Sequence, residues 1–184
     1  MIPLSLHLSG FISYLDPVEL DFRRFDVACI SGSNGAGKSS LLDAITWALF
    51  GVARKRDDSI INSKADAAEV TFDFNYEGNT YRIQRAKTRG KPTTLEFLIF
   101  QNGTGGESSG WKPFTEKGIR DTETAIQHTL HMDFDTFTNA SFFLQGKADV
   151  FAQQRPADRK RILSSILGLD AWEQYRERAS ERRK

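Results

Sequence analysis

Residues 32–39 read Gly32-Ser33-Asn34-Gly35-Ala36-Gly37-Lys38-Ser39, a complete G-x-x-x-x-G-K-[ST] phosphate-binding loop. Its flanks decide what the loop is for. Val27-Ala28-Cys29-Ile30 is a short apolar run that reads as a buried strand leading in. Ser40 to Phe50 leads out with helical spacing and stops at Gly51, a C-cap residue. Strand, glycine loop and helix in that order predict an α/β P-loop NTPase fold. A glycine-rich turn that merely contained Lys-Ser would lack both flanks.

The residue types carry the chemistry. Gly32, Gly35 and Gly37 let the backbone curl so that successive N–H groups face phosphate oxygens. The helix starting near Lys38 adds its positive dipole end. Lys38 is expected to set its ammonium between the β- and γ-phosphates, and the Ser39 hydroxyl to ligate Mg²⁺. The residues themselves thus point to Gly32, Gly35, Gly37, Lys38 and Ser39 as phosphate and Mg²⁺ positions.

With 184 residues, 39% hydrophobic and 27% charged, the chain suits one compact globular domain with room for a projecting element. A net charge of +1 does not single out a partner. Cys29 is the only cysteine, which excludes a disulfide framework, and its place in the expected strand makes it a small packing residue. No basic-then-apolar leader and no run of membrane-spanning length is visible, so a cytoplasmic protein is expected.

Leu4, Leu6 and Leu8 alternate with polar neighbours, as do residues Val18 to Phe22, and both stretches predict strands. Arg54 to Asp58 reads as an exposed turn. Glu69 to Tyr76, Thr80 to Ala86 and Thr94 to Phe100 are further strands, the first two joined by a hairpin at Glu77-Gly78-Asn79. Residues 101–110 form a glycine-rich loop. Helices are predicted from Asp121 or Thr122 to about Leu130, from Asp133 or Asp135 to about Phe143, and from Pro156 to Gly168. Asp170 opens a last helix with Trp172, Tyr175 and Ala179 on one stripe, and the sequence stops inside it, as a chain cut short would.

An ATPase complete in itself also has an apolar strand ending in an acidic residue for Mg²⁺. Phe97 to Phe100 is followed by Gln101, and Asp73 sits in an alternating, half-exposed stretch, so this motif is missing. Four segments together resemble the N-terminal half of the ATPase head of SbcC-type DNA double-strand-break-repair proteins, within the SMC and ABC-like superfamily. They are Leu8 to Tyr14, the loop with its helix, Arg56 to Asn62, and Ser141 to Gly146 with the helix after Pro156. The resemblance implies an ATPase head lobe over residues 1–168 with a mainly antiparallel β-lobe, and the start of a coiled-coil helix over 169–184. It implies a nucleotide-binding set of Ser33, Asn34, Gly35, Ala36, Gly37, Lys38, Ser39 and Ser40 with Ser40 near the α-phosphate, and it makes Gln145 the Q-loop residue that completes the Mg²⁺ shell and positions the attacking water. Lys147 departs from the acidic residue expected there. The implied cofactors are ATP and Mg²⁺. The implied partners are the C-terminal half of the head, a second head in a homodimer, an SbcD-type nuclease and DNA, in a nucleoid-associated setting without a membrane. Turnover by this half alone is expected to be weak or absent.

Arg82, Arg85, Lys87, Arg89 and Lys91 form a basic run with no acidic residue among them. It reads either as a DNA-phosphate contact or as a solvated hairpin edge. Rival functions are an SMC-like or recombination-mediator ATPase without a nuclease, a small P-loop kinase, and a module that binds nucleotide without turning it over.

Overall fold

The computed structural model describes residues 1–102, 109–140, 155–166 and 169–182. These form two compact units, Met1–Ile126 and Gln127–Lys184. The first unit is built on one six-stranded sheet: β1 (Ile2–Ser9), β2 (Val18–Asp21), β3 (Ala67–Tyr76), β4 (Asn79–Thr88), β5 (Thr93–Gln101) and β6 (Gly110–Pro113). The strand order is β2-β1-β3-β4-β5-β6, antiparallel throughout.

Side-chain alternation sets the register, because a slip of one residue would turn every apolar side chain outward. One buried row, Leu6, Phe72, Ile83 and Phe97, crosses four strands. The next row runs Leu8, Val70, Arg85 and Leu95, so an arginine occupies a core position. The opposite face carries Ser5, Asp73 and Arg82 in one row and Thr71, Gln84 and Glu96 in another. The β3–β4 hairpin turns at Glu77 and Gly78, both with positive φ (50° and 80°), as a tight right-twisted hairpin requires.

Helix α1 (Lys38–Phe50) packs on β3 and β4. Ala44, Trp47 and Ala48 are buried, and the Trp47 ring lies 5.3 Å from that of Phe11. Gly51 ends the helix in the left-handed conformation and donates its N–H to the Trp47 carbonyl at 2.9 Å, as its place in the sequence predicts. Gly10, at φ 60°, closes the turn after β1. A Cβ there would lie 2.0 Å from the Ala67 carbonyl oxygen, so only glycine lets β1 and β3 approach at this point.

The main correction concerns Val27–Ile30. The run is not a strand: Val27 is 90% exposed, Ile30 50%, and Cys29 is exposed rather than a packing residue. An apolar run becomes a strand only with a neighbour to hydrogen-bond to, and is buried only where its faces are covered. Every strand among the described residues is committed to the antiparallel sheet, so this segment has no parallel neighbour. β6 is the converse case, a short strand that begins in a stretch reading as a loop.

Helix α2 (Ile119–Leu130) starts slightly before the predicted cap. Thr122 lies in its first turn, where its hydroxyl donates to the Gly118 carbonyl at 2.9 Å. In the second unit, Asp133 caps α3 (Phe134–Ala140), accepting from the Thr136 N–H at 2.7 Å. Helix α4 (Pro156–Ile166) begins at its proline as expected and packs on α3, and α5 (Asp170–Arg182) follows.

Candidate nucleotide-binding site

The glycine loop enters α1 through Gly37, whose left-handed backbone (φ 93°) is the helix N-cap. No side chain caps this end and the first turn holds no acidic residue. The first-turn N–H groups and the positive end of the helix therefore have no internal anion to neutralise them. A Cβ on Gly37 would come within 3.1–3.2 Å of the Tyr14 ring and the Ser13 side chain, so the loop is held closely against the turn after β1. The Tyr14 hydroxyl donates to the Gly37 carbonyl at 3.4 Å, and burial pushes its pKa up. Ser33 to Ala36 are exposed, whereas Ser40 is wholly buried.

Lys38 Nζ lies across the mouth of the loop, donating to the carbonyls of Gly32 (2.7 Å) and Ser33 (2.8 Å). An ammonium held by exposed carbonyls can transfer to a stronger, charged acceptor at little cost. Curled backbone, uncapped helix start, ammonium and hydroxyls are the donor set that a polyphosphate requires.

Arg54 joins this site, although its sequence context reads as an exposed turn. The chain reverses at Gly51 and runs back along α1, bringing the Arg54 N–H to Asp43 Oδ1 (3.2 Å) and Nε to Asp43 Oδ2 (2.8 Å). Arg54 Nη2 donates to Ser40 Oγ, which also shares a 3.0 Å hydrogen bond with Ser13 Oγ. The only signal in the sequence was a cation three residues beyond the helix stop. Burial raises the Asp43 pKa, and its bonds to Arg54 offset this only in part. The folded carboxyl thus holds its proton more tightly than the unfolded one. Stability from this group accordingly falls as pH rises through the window just above 3.8. Asp43→Asn is expected to remove that slope, read from denaturant midpoints across the window; an unchanged slope would assign it to other carboxyls.

The basic run does not form one surface. Strand alternation sends Arg85 inward, where it is 3% exposed, so it is withdrawn as a DNA contact. Its Nη1 pairs with Glu123 of α2 at 2.8 Å, and its Nε donates to the Ala48 carbonyl near the end of α1 at 3.3 Å. Burial lowers the Arg85 pKa, against the opposing effect of Glu123. Arg82, on the other face, makes two 2.7 Å bonds to Asp73 and lies 4.3 Å from the Trp111 ring centre. β4 is flanked by β3 and β5, so the hairpin-edge reading also falls. Lys87 pairs with Asp58 at 3.2 Å, Arg89 donates to the Ala65 carbonyl at 3.2 Å, and Arg89 and Lys91 are exposed at the β4–β5 turn. Gln145 lies outside the described residues.

A protein-family model described as an AAA domain matches residues 5–183. The chain is 30% identical over 185 residues to the SbcC subunit of nuclease SbcCD from Deinococcus radiodurans, covering 98% of this chain and 20% of that protein. It is 33% identical over 176 residues to the DNA double-strand break repair Rad50 ATPase of Thermoplasma volcanium, covering 94% of this chain and 18% of that one. The chain thus spans about a fifth of the length of these curated relatives. Among solved structures, the SMC head domain from Thermotoga maritima matches at 27% identity with a TM-score of 0.39, covering 66% of this chain and 41% of that one.

Proposed function

We propose, for a chain that belongs to the AAA domain family across residues 5–183, that it binds ATP with Mg²⁺ and supplies the nucleotide-binding half of a DNA double-strand-break-repair ATPase. The observation that carries this reading is Lys38 Nζ across a glycine loop that opens onto an uncapped, acid-free helix start. The loop N–H groups from Asn34 to Ser40 bind phosphate oxygens, and Lys38 leaves the Gly32 and Ser33 carbonyls for the β- and γ-phosphates. Ser39 would supply a hydroxyl to hold Mg²⁺, and Gln145 would complete that shell and orient water. Mg²⁺ when bound neutralises charge on the phosphoryl oxygens. Arg54 adds a fixed positive charge beside Ser40, on the side assigned to the α-phosphate.

Head completion is part of the same proposal. The exposed run at Val27–Ile30 supports a role for strands from the C-terminal half, which would bury it and bring the acidic motif missing here. Two completed heads engage on ATP binding and separate on hydrolysis, a population shift set by nucleotide. Residues 1–168 are the head lobe and 169–184 the start of a coiled coil, where Trp172 and Tyr175 are 69% and 60% exposed. The proposed partners are an SbcD-type nuclease and DNA, in the nucleoid. No helix among the described residues is long and apolar enough to cross a membrane.

Equilibrium titration with Mg²⁺-ATP tests the nucleotide reading: saturable binding is expected, and its absence would remove the premise. For DNA, the cations that stay on the surface are Arg89 and Lys91, with the part-buried and paired Lys87 and Arg82 contributing less. Replacing Lys87, Arg89 and Lys91 together by alanine is expected to reduce the slope of log K against log salt by about one unit for each phosphate no longer neutralised. An unchanged slope would place DNA elsewhere on the protein.

A further inference from the structure

At the far end of α1 from the glycine loop lies a half-open cavity of about 490 Å³ that the nucleotide reading does not use. This volume is in the range of small-molecule sites. Its lining falls wholly within the first unit. Arg85 and Lys87 of β4 contribute, with Lys55 and Arg56 from the segment after α1. Val52 and Ile119 supply the apolar surface open to it, being 39% and 36% exposed, with Trp47 buried behind them at 2%. Two carboxylates also line it, Asp57 and Glu123, against the four cations.

Arg85 gives the cavity its chemistry. The side chain is 3% exposed, and its Nη2 is buried with no hydrogen-bond partner among the described residues. The guanidinium carbon lies over the Trp47 ring, 5.9 Å from its centre, and a buried charged donor without an acceptor is costly, so an anion that draws Nη2 toward the cavity is favoured. Glu123 is already engaged through Nη1, and Nε is on the Ala48 carbonyl. That last bond also offsets the negative end of α1, which would otherwise repel an anion from this place. Lys87 is held by Asp58, which does not line the cavity, and Lys55 and Arg56 stand exposed at the rim.

We propose that this cavity is a second anion site, separate from the glycine loop, that takes a phosphate monoester with its organic part against Val52 and Ile119. A compact dianion answers the buried guanidinium and the rim cations together, and the volume left over accommodates an attached base or sugar. The two natural sources of this chemistry are a free mononucleotide and the phosphorylated end of a nucleic-acid strand.

The test uses the whole chain carrying Lys38→Ala, which weakens the glycine loop for terminal phosphates, and the rim changes below separate a monophosphate held in this cavity from one held at the loop. Inorganic phosphate, AMP, and a short oligonucleotide with either a 5′-phosphate or a 5′-hydroxyl are titrated calorimetrically. Binding of AMP or of the 5′-phosphate strand is expected, weakened at least about tenfold by Lys55→Ala with Arg56→Ala, two rim changes that leave the core intact. Arg85→Lys is expected to weaken it further. A strong preference for the 5′-phosphate over the 5′-hydroxyl strand, without AMP binding, assigns a nucleic-acid end; AMP and phosphate binding alone assigns a free nucleotide. Failure of every probe to bind, or binding that the rim pair does not change, overturns the proposal. ATP affinity of the unsubstituted chain, measured alongside, bears only on the glycine-loop reading.

Discussion

Lys38→Ala is expected to lower affinity for Mg²⁺-ATP by a factor of about 100 or more. Charge-assisted hydrogen bonds contribute about 1.5–3 kcal/mol each, and Lys38 is positioned to make two once it leaves the Gly32 and Ser33 carbonyls. Even one such bond at about 2.8 kcal/mol corresponds to two decades in Kd. The fold should tolerate the change, because those loop carbonyls are exposed and water can replace the ammonium. The check is a titration with ATP, ADP and AMP. The loss should be greatest for ATP and small for AMP, since the lysine is assigned to the terminal phosphates. An equal loss for all three would mean that Lys38 supports the loop without touching those phosphates.

The largest effect on stability is expected from Glu123→Gln. This carboxylate pairs with Arg85, whose side chain is almost fully buried in an otherwise apolar row beside Leu8, Val70 and Leu95. Glu123 is 28% exposed but Arg85 only 3%, so removing the carboxylate leaves a buried charge uncompensated, at a cost of about 3 kcal/mol. For a chain of this size that is a fall in Tm of roughly 6–12 °C. Replacing both partners by apolar residues, Arg85→Met with Glu123→Leu, should recover most of the loss, because no buried charge remains. The two experiments together separate a buried ion pair from simple packing. If Glu123→Gln melts like the parent chain, Arg85 has another partner and the tie between β4 and α2 is not structural.

Features written in local sequence were legible. The loop, α1 with its glycine stop, and the β3–β4 hairpin each depend on residues a few positions apart, and all three stand where expected. Features that depend on distant neighbours were not. The apolar run at Val27–Ile30 signals burial, but burial requires flanking strands that no described residue supplies. Arg85 looks like a surface cation beside Lys87 and Arg89; only the register with Val70 and Leu95 and the approach of Glu123 show that it faces the core. Arg54 reaches the proposed nucleotide site only because the chain doubles back along α1, a path that composition does not encode.

The nucleotide-binding site proposed at the glycine loop is expected to lack part of its catalytic set. The decisive experiment is ATP turnover by the chain alone, beside direct binding and with Lys38→Ala as control. Lys38-dependent binding with negligible turnover is expected, and a rise in turnover only when the other half of a head is supplied. Robust turnover by the isolated chain, abolished in Lys38→Ala, would contradict this and place a complete hydrolytic site within these residues.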